Sequence, residues 1–576
     1  MSNTTITPQS APNRRNTELM MLGFAVLVPV LAYANVGLAG DGRLPAGLVS
    51  YGLGLGFMAG IAHLVVRKFT PYADPLLLPL ATFLNGMGLV LIYRLDLDLT
   101  RKAAPTQLMY TAMGVALFVG VVVFLRDHRL LQRYTYIAML VALVLLVSPI
   151  PFPGDTYGAK IWIRLGPFSI QPGEFTKIVL TVFFAGYLMV KRDALALASR
   201  KVMGLYLPRG RDIFPIVVVW LLSLMILVFE RDLGTSLLFF GMFVVMLYIA
   251  TERVSWLIFG LVMAIGGAAL VGSVEPHVKG RVDAWLDPMA IYGTNPPRGG
   301  SEQLAQALMG YGDGGLLGKG LNQGFPNEIG FAARSDFILT TVGEELGLAG
   351  MMAIFMVYAL LIERGLRTAL AARDPFGKLL AAGLSVVMAL QVFVVAGGVT
   401  GLIPLTGMTM PFLAQGGSSV ITNWILVAIL IVVSHTARRP APPAVAGEVS
   451  ATQNSRGGRR ARRTGFEDQA LDAADADELA EPTPVQGSPL GDLSGGHVPD
   501  RPRVDADAAT EFTPIASAGT PAEPSSPPDA LTVPGGVPGV PPRPGTPPGP
   551  AGPPPGGGAG GASGPGGPAG PRGHSQ

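Results

Sequence analysis

Ionisable side chains inside or at the mouth of long apolar runs are the first candidates for chemistry, because charge in a lipid environment is costly. Four groups of this 576-residue chain meet that description. Glu174 and Lys177 follow Pro172, which suits the first turn of a helix. Glu174 then lies near the positive end of that helix, with Lys177 three residues on and on the same face. Such a pair is either a plain ion pair or a handle for a charged ligand. Asp232, in the tight turn Glu230-Arg231-Asp232-Leu233-Gly234-Thr235, suits a helix cap, a role compatible with a site nearby. Asp336 stands where a long loop meets an apolar run, and helical periodicity aligns it with Thr340 and Glu344. It suits either a cap or a general base taking a proton at the mouth of a polar helix face. Glu344 would lie about 12 Å deeper, at a depth where a carboxylate does not face lipid. The fourth group runs from Gly401 through Pro404 and Pro411 to Gly416-Gly417-Ser418-Ser419. Backbone so broken survives at membrane depth only if it is buried or lines a cavity, and close helix packing by small residues is the plainer reading.

The elements that must position these residues are membrane helices. Apolar residues make up 49% of the chain and charged ones 14%, with a mean hydropathy of +0.44. A soluble chain carries closer to about a quarter charged residues. There is no cysteine, so disulfide and thiolate chemistry are excluded, and the six histidines show no metal-binding spacing. Residues 1–18 are polar and lead straight into a multispan pattern without the form of a cleavable signal. At about 20 apolar residues per span, the candidates are 19–39, 48–66, 76–93, 108–125, 134–150, 174–190, 213–229, 233–250, 254–273, 337–362, 378–399 and 411–434. The chain thus reads as an all-α polytopic membrane protein of about twelve spans. Positive charge favours the cytoplasmic side. With Arg14 and Arg15 inside, so are Arg67-Lys68, Arg126 to Arg133, Lys191 to Arg211, Arg253, Arg364 to Lys378 and Arg438-Arg439. One outer loop fits poorly, with Arg94, Arg101 and Lys102. The balance puts both termini in the cytoplasm and makes two long segments, 151–173 and 274–336, external.

Beyond about residue 440 the chain becomes polar. A basic block, Arg459-Arg460-Ala461-Arg462-Arg463, suits either a solvated linker or contact with lipid head groups, and an acidic stretch from Glu467 to Glu478 follows. The last part, from about 521, is dominated by Gly and Pro, a composition that cannot bury enough apolar surface to fold.

Together, the segments GAKIWIRLGPFSIQPGEFTK, DLGTS, RVDAWLDP, Gln303 to Gly324, SDFILTTVGEELGLAG, TGLIPLTG and GGSS resemble the SEDS family of membrane proteins (RodA, FtsW, SpoVE). The resemblance covers about residues 76–434 and lies in the joint order of the segments. It implies a ten-helix glycosyltransferase core of the GT-C type, here 76–436, preceded by two additional helices (19–75) and followed by a disordered cytoplasmic tail (437–576). It also implies a peptidoglycan glycosyltransferase that polymerises lipid II for cell elongation or division. Its partners would be a class B penicillin-binding protein and membrane lipids, with no nucleic acid. The family's essential loop aspartate falls on Asp336, its polar helix residues on Glu174 and Lys177, and its arginine after the tryptophan on Arg164. Asp232, Glu344, Ser418 and Ser419 are candidate substrate-binding residues in the same segments. A carboxylate would assist proton loss from the acceptor hydroxyl, and Lys177, Arg164 or a divalent cation (Mg or Mn) would stabilise the leaving diphosphate.

The chain departs from the family pattern at Glu230-Arg231 (Gln-Pro is usual), Gly173 (Ser) and Ala414-Gln415 (Ser-Tyr). The N-terminal addition and the tail composition resemble actinobacterial RodA-type members. Two other readings fit the same polar residues: a lipid II flippase, whose path they would line, and a scaffold for the penicillin-binding protein.

Overall fold

The computed structural model describes residues 14–99, 102–149, 162–165, 168–197, 199–202, 205–208, 217–222, 225–226, 232–292 and 301–440. The basic block, acidic stretch and Gly/Pro-rich tail lie outside them. In chain order the elements are α1 (Arg15–Asp41), α2 (Leu48–Phe69), α3 (Leu77–Asp98), α4 (Ala104–Phe124), α5 (Arg129–Arg133) and α6 (Thr135–Val147). The antiparallel hairpin β1 (Ile163–Leu165) and β2 (Phe168–Ile170) leads into α7 (Pro172–Leu197), and a second hairpin, β3 (Ser199–Val202) with β4 (Leu205–Pro208), follows. Next come α8 (Leu233–Thr251), α9 (Ser255–Val274), α10 (Pro276–Leu286) and α11 (Ser301–Gly314), then a 3₁₀ segment over Pro326–Arg334. The chain closes with α12 (Ile338–Glu345), α13 (Gly347–Ala371), α14 (Pro375–Val399) and α15 (Gly417–Arg438).

Among the described residues, ten helices are long and apolar enough to cross a membrane: α1–α4, the Pro172–Asp193 part of α7, α8, α9 and α13–α15. The span expected at 134–150 is the shorter apolar helix α6. The one expected at 213–229 is helical over 217–222 and 225–226 and otherwise outside the described residues. Local chemistry sets the helix starts. Pro172 opens α7, Asp232 caps α8 by accepting from Thr235 N at 2.9 Å, and Asp374 caps α14 by accepting from Gly377 N at 2.7 Å.

Two further spans differ from the sequence reading. The run 337–362 is two helices, with the break at Gly347, whose φ is +70°. A Cβ at this position would lie 2.3 Å from Gly318 N. The polypeptide turns there because the 315–318 backbone packs directly against it, as shown by Leu348 N bonding Gly315 O at 3.0 Å. All of α12 is therefore buried, and the helix long and apolar enough to span a membrane is α13. Likewise α15 begins at Gly417, and residues 411–416 are not helical.

The most enclosed spans are α15 and α3, followed by α14, α8 and α7. Trp424 on α15 sits edge-on to both Phe118 of α4 and Phe412, with centroids 5.6 Å apart in each case. Its indole N–H donates to Asn85 on α3 at 3.4 Å. The two N-terminal helices join this body through Tyr33, stacked on Tyr51 at 4.8 Å and packed on Tyr93 of α3 at 4.4 Å. At the other end of α1, buried Arg15 pairs with Glu18, which in turn meets His63 of α2 at 2.7 Å. The awkward Arg94 proves to be no loop charge at all. It is buried within α3, where its Nε pairs with Glu345 at 2.7 Å and its Nη2 donates to Gly324 O at 2.9 Å.

Candidate functional site

Lys177 lies about one and a half turns into α7, fully buried. Its ammonium meets Glu174 Oε2 at 2.6 Å, Gln391 Oε1 of α14 at 2.8 Å and Asn423 Oδ1 of α15 at 3.3 Å. An ammonium has three N–H donors, and these three partners occupy them. The other oxygen of Glu174 accepts from Thr409 Oγ1 at 3.4 Å, and Gln391 Nε2 donates to Thr409 O at 2.9 Å. The Glu174–Lys177 pair is thus a satisfied buried junction between three spans and the segment before α15. Ser418 accepts from Gln171 N at 2.9 Å, fastening the start of α7 to the start of α15. Ser419 accepts from Asn423 Nδ2 at 3.3 Å.

Beside this junction lies a second group, Asp232, Arg281 and Asp336. Asp232 places its two oxygens on Thr235 N at 2.9 Å and Thr235 Oγ1 at 2.6 Å. Burial still pushes its carboxyl above the usual range, against the pull of those bonds and of Arg281. Arg281, on α10, donates through Nη1 to Leu405 O at 3.1 Å and Thr406 O at 3.0 Å, clamping the Gly- and Pro-rich segment. Trp285, one turn on, holds Gly401 O at 2.8 Å. Burial lowers the guanidinium pKa of Arg281, and the two aspartates oppose that shift, so its charge is felt by both.

Asp336 is half-buried and accepts from Ser335 Oγ at 2.7 Å. Enclosure pushes its carboxyl above the ordinary aspartate range, while Ser335 and Arg281 act in the opposite sense. The preceding residue pair is held firmly. Arg334 Nη2 pairs with Asp96 Oδ1 at 2.9 Å, and Arg334 O accepts from Gln415 N at 2.7 Å. The alignment of Asp336 with Thr340 and Glu344 is not observed, because α12 begins only at Ile338. Thr340 and Glu344 do share a face, turned toward α11: Thr340 meets Tyr311 at 3.3 Å, and both flank Gly310. Glu344 accepts from Phe325 N at 2.8 Å and lies 3.6 Å from Lys319, stitching down the 319–325 loop.

Arg164 sits on β1 opposite Ser169, exposed on the hairpin that feeds α7. A crevice of about 10 Å³ between Leu145, Gln171, Gly173, Asp232 and Thr235 is water-sized. Among the described residues no three His, Asp or Glu side chains are grouped to hold a metal ion. Sequence reasoning missed Arg281, Gln391, Asn423 and Thr409. Only Arg281 carried a signal, as the first residue of the RVDAWLDP segment.

Long apolar helices around a buried ionic junction, with a carboxylate–arginine–carboxylate group beside it, define a multi-pass membrane protein. Residues 75–439 match the model of the FtsW, RodA and SpoVE cell cycle proteins, and the chain belongs to that family. It is 48% identical to the peptidoglycan glycosyltransferase RodA of Mycobacterium leprae, over 76% of this chain and 93% of that protein. To the stage V sporulation protein E of Bacillus subtilis it is 32% identical, over 65% of this chain and all of that protein. The solved RodA of Thermus thermophilus aligns with a TM-score of 0.45 at 20% identity, covering 64% of this chain and 98% of that one. Within the family the chain is an actinobacterial RodA-like member.

Proposed function

We propose that this chain, a peptidoglycan glycosyltransferase, polymerises lipid II into glycan strands at the outer face of the cell membrane, with Asp336 as the general base. The observation that carries the assignment is Asp336 itself: a half-buried carboxyl on an anchored segment, raised in pKa by enclosure and facing Arg281. A base works best when its pKa approaches the working pH. In the step proposed, the acceptor sugar hydroxyl gives its proton to Asp336 as its oxygen bonds the donor's anomeric carbon. The bond from that carbon to the lipid diphosphate breaks, and the departing charge falls to Arg281 and to Arg164 on its hairpin. Lys177, with its donors committed, positions the spans and does not meet the diphosphate. No step is assigned to a divalent cation.

In this proposal residues 76–436 are the catalytic core, 19–75 an N-terminal addition and 437–576 a cytoplasmic tail. The cationic residues at the ends of α2, α4 and α15 and around the α13–α14 turn support cytoplasmic termini. A class B penicillin-binding protein is the proposed partner, on the strength of family membership. The test is to incubate the purified protein in detergent with lipid II, with and without that partner. Glycan strands formed without a sealed membrane support polymerisation, whereas none under either condition would leave transport or scaffolding as the activity.

A further inference from the structure

A second polar site lies at the far end of α13, 25 residues of helix away from the Asp336 group. A cavity of about 260 Å³ opens between α5, the α13–α14 turn and the end of α15. Arg129, Arg373 and Arg439 line it, opposed by one carboxylate, Asp374. That carboxylate is already engaged, by Gly377 N at 2.7 Å, His128 Nε2 at 3.0 Å and Arg129 Nε at 3.6 Å. Arg373 also donates to Arg439 O at 2.9 Å, drawing the α13–α14 turn and the end of α15 together at the rim. The pocket therefore presents more cationic charge than it neutralises. Its remaining wall is mostly apolar, built of Ala372, Val433, Ala437 and Pro440 with the hydroxyl-bearing Thr436 among them.

We propose that this pocket binds the phosphate of an anionic phospholipid head group. Guanidinium groups match phosphate oxygens in geometry and charge. The pocket sits where the spanning helices α4, α13, α14 and α15 end or begin, the depth at which head groups lie. Phe124, at the end of α4, and Leu370, beside the α13–α14 turn, are 85% and 79% exposed, apolar surface that suits acyl chains. A soluble anion would make no use of exposed apolar surface on the helices that end here, and this favours a lipid over free phosphate.

The test uses the delipidated full-length protein and three probes: dioleoyl-phosphatidylglycerol, dioleoyl-phosphatidylcholine and inorganic phosphate. Native mass spectrometry and thermal midpoint should show saturable binding of the phosphatidylglycerol alone. The Arg129→Gln/Arg439→Gln variant, exposed positions outside the polymerising site, should bind it roughly ten-fold more weakly or worse. A photoreactive phosphatidylglycerol should cross-link the wild-type chain within 128–133, 372–374 or 433–440, a readout independent of any variant. Equal binding of the two lipids, undiminished binding by the variant with cross-links elsewhere, or a full thermal shift with phosphate alone would overturn the proposal.

Discussion

At the scale of single residues, the Glu174–Lys177 pair and Asp336, both singled out by the sequence, play different parts. Glu174 and Lys177 complete each other, and removing one leaves the other buried without compensation. Lys177→Ala should therefore cost about 3–5 kcal/mol, read as a lowered thermal midpoint. The Glu174→Gln/Lys177→Met pair should recover much of that loss, and a double variant as unstable as Lys177→Ala would argue against a closed junction. Asp336 obeys the opposite logic. Its pKa is raised in the folded chain, so the ionised form disfavours folding. That penalty is absent below the ordinary aspartate range and grows as pH rises through the raised value. The midpoint of Asp336→Asn relative to wild type should therefore improve as pH rises from the ordinary aspartate range, about pH 4. Arg281 lowers the Asp336 pKa, so Arg281→Gln should move the acid limb of the rate profile to higher pH. An unmoved limb would separate the two groups.

At the scale of elements, the spans were legible because a bilayer demands continuous apolar runs, and the cap at Asp232 because its short polar side chain has a local partner in Thr235. The start of α12 was not, since it depends on Arg334 meeting Asp96 and on Gln415 bonding the Arg334 carbonyl, contacts remote in sequence. The break at Gly347 was equally hidden, because an apolar run resumes directly after it and only the approach of Gly318 requires a left-handed turn. Gly347→Ala should cost at least about 1–2 kcal/mol from backbone conformation alone, with more from the clash. An unchanged midpoint and activity would mean that the α12–α13 break is not fixed by this residue.

At the scale of the whole molecule, family membership and membrane character followed from local patterns, whereas the site is an assembly of distant pieces. Lys177 meets Gln391 across 214 residues, and Arg281 reaches the Leu405 carbonyl across 124. No spacing rule within one segment reports such pairs, and so Gln391, Asn423 and Thr409 went unseen while Glu174, Lys177 and Asp336 did not. Arg94 misled the charge count for the same reason, its partner Glu345 being 251 residues away. The central claim is that this assembly exists to set one carboxylate, Asp336, against an acceptor hydroxyl. The most direct measurement is glycan-strand formation from lipid II by the purified wild type and by Asp336→Asn, followed from about pH 5 to about pH 9. The account predicts strands from the wild type, with an acid limb above the ordinary aspartate range, and none from an Asp336→Asn protein that remains folded. Strands formed by that variant at the wild-type rate would contradict it.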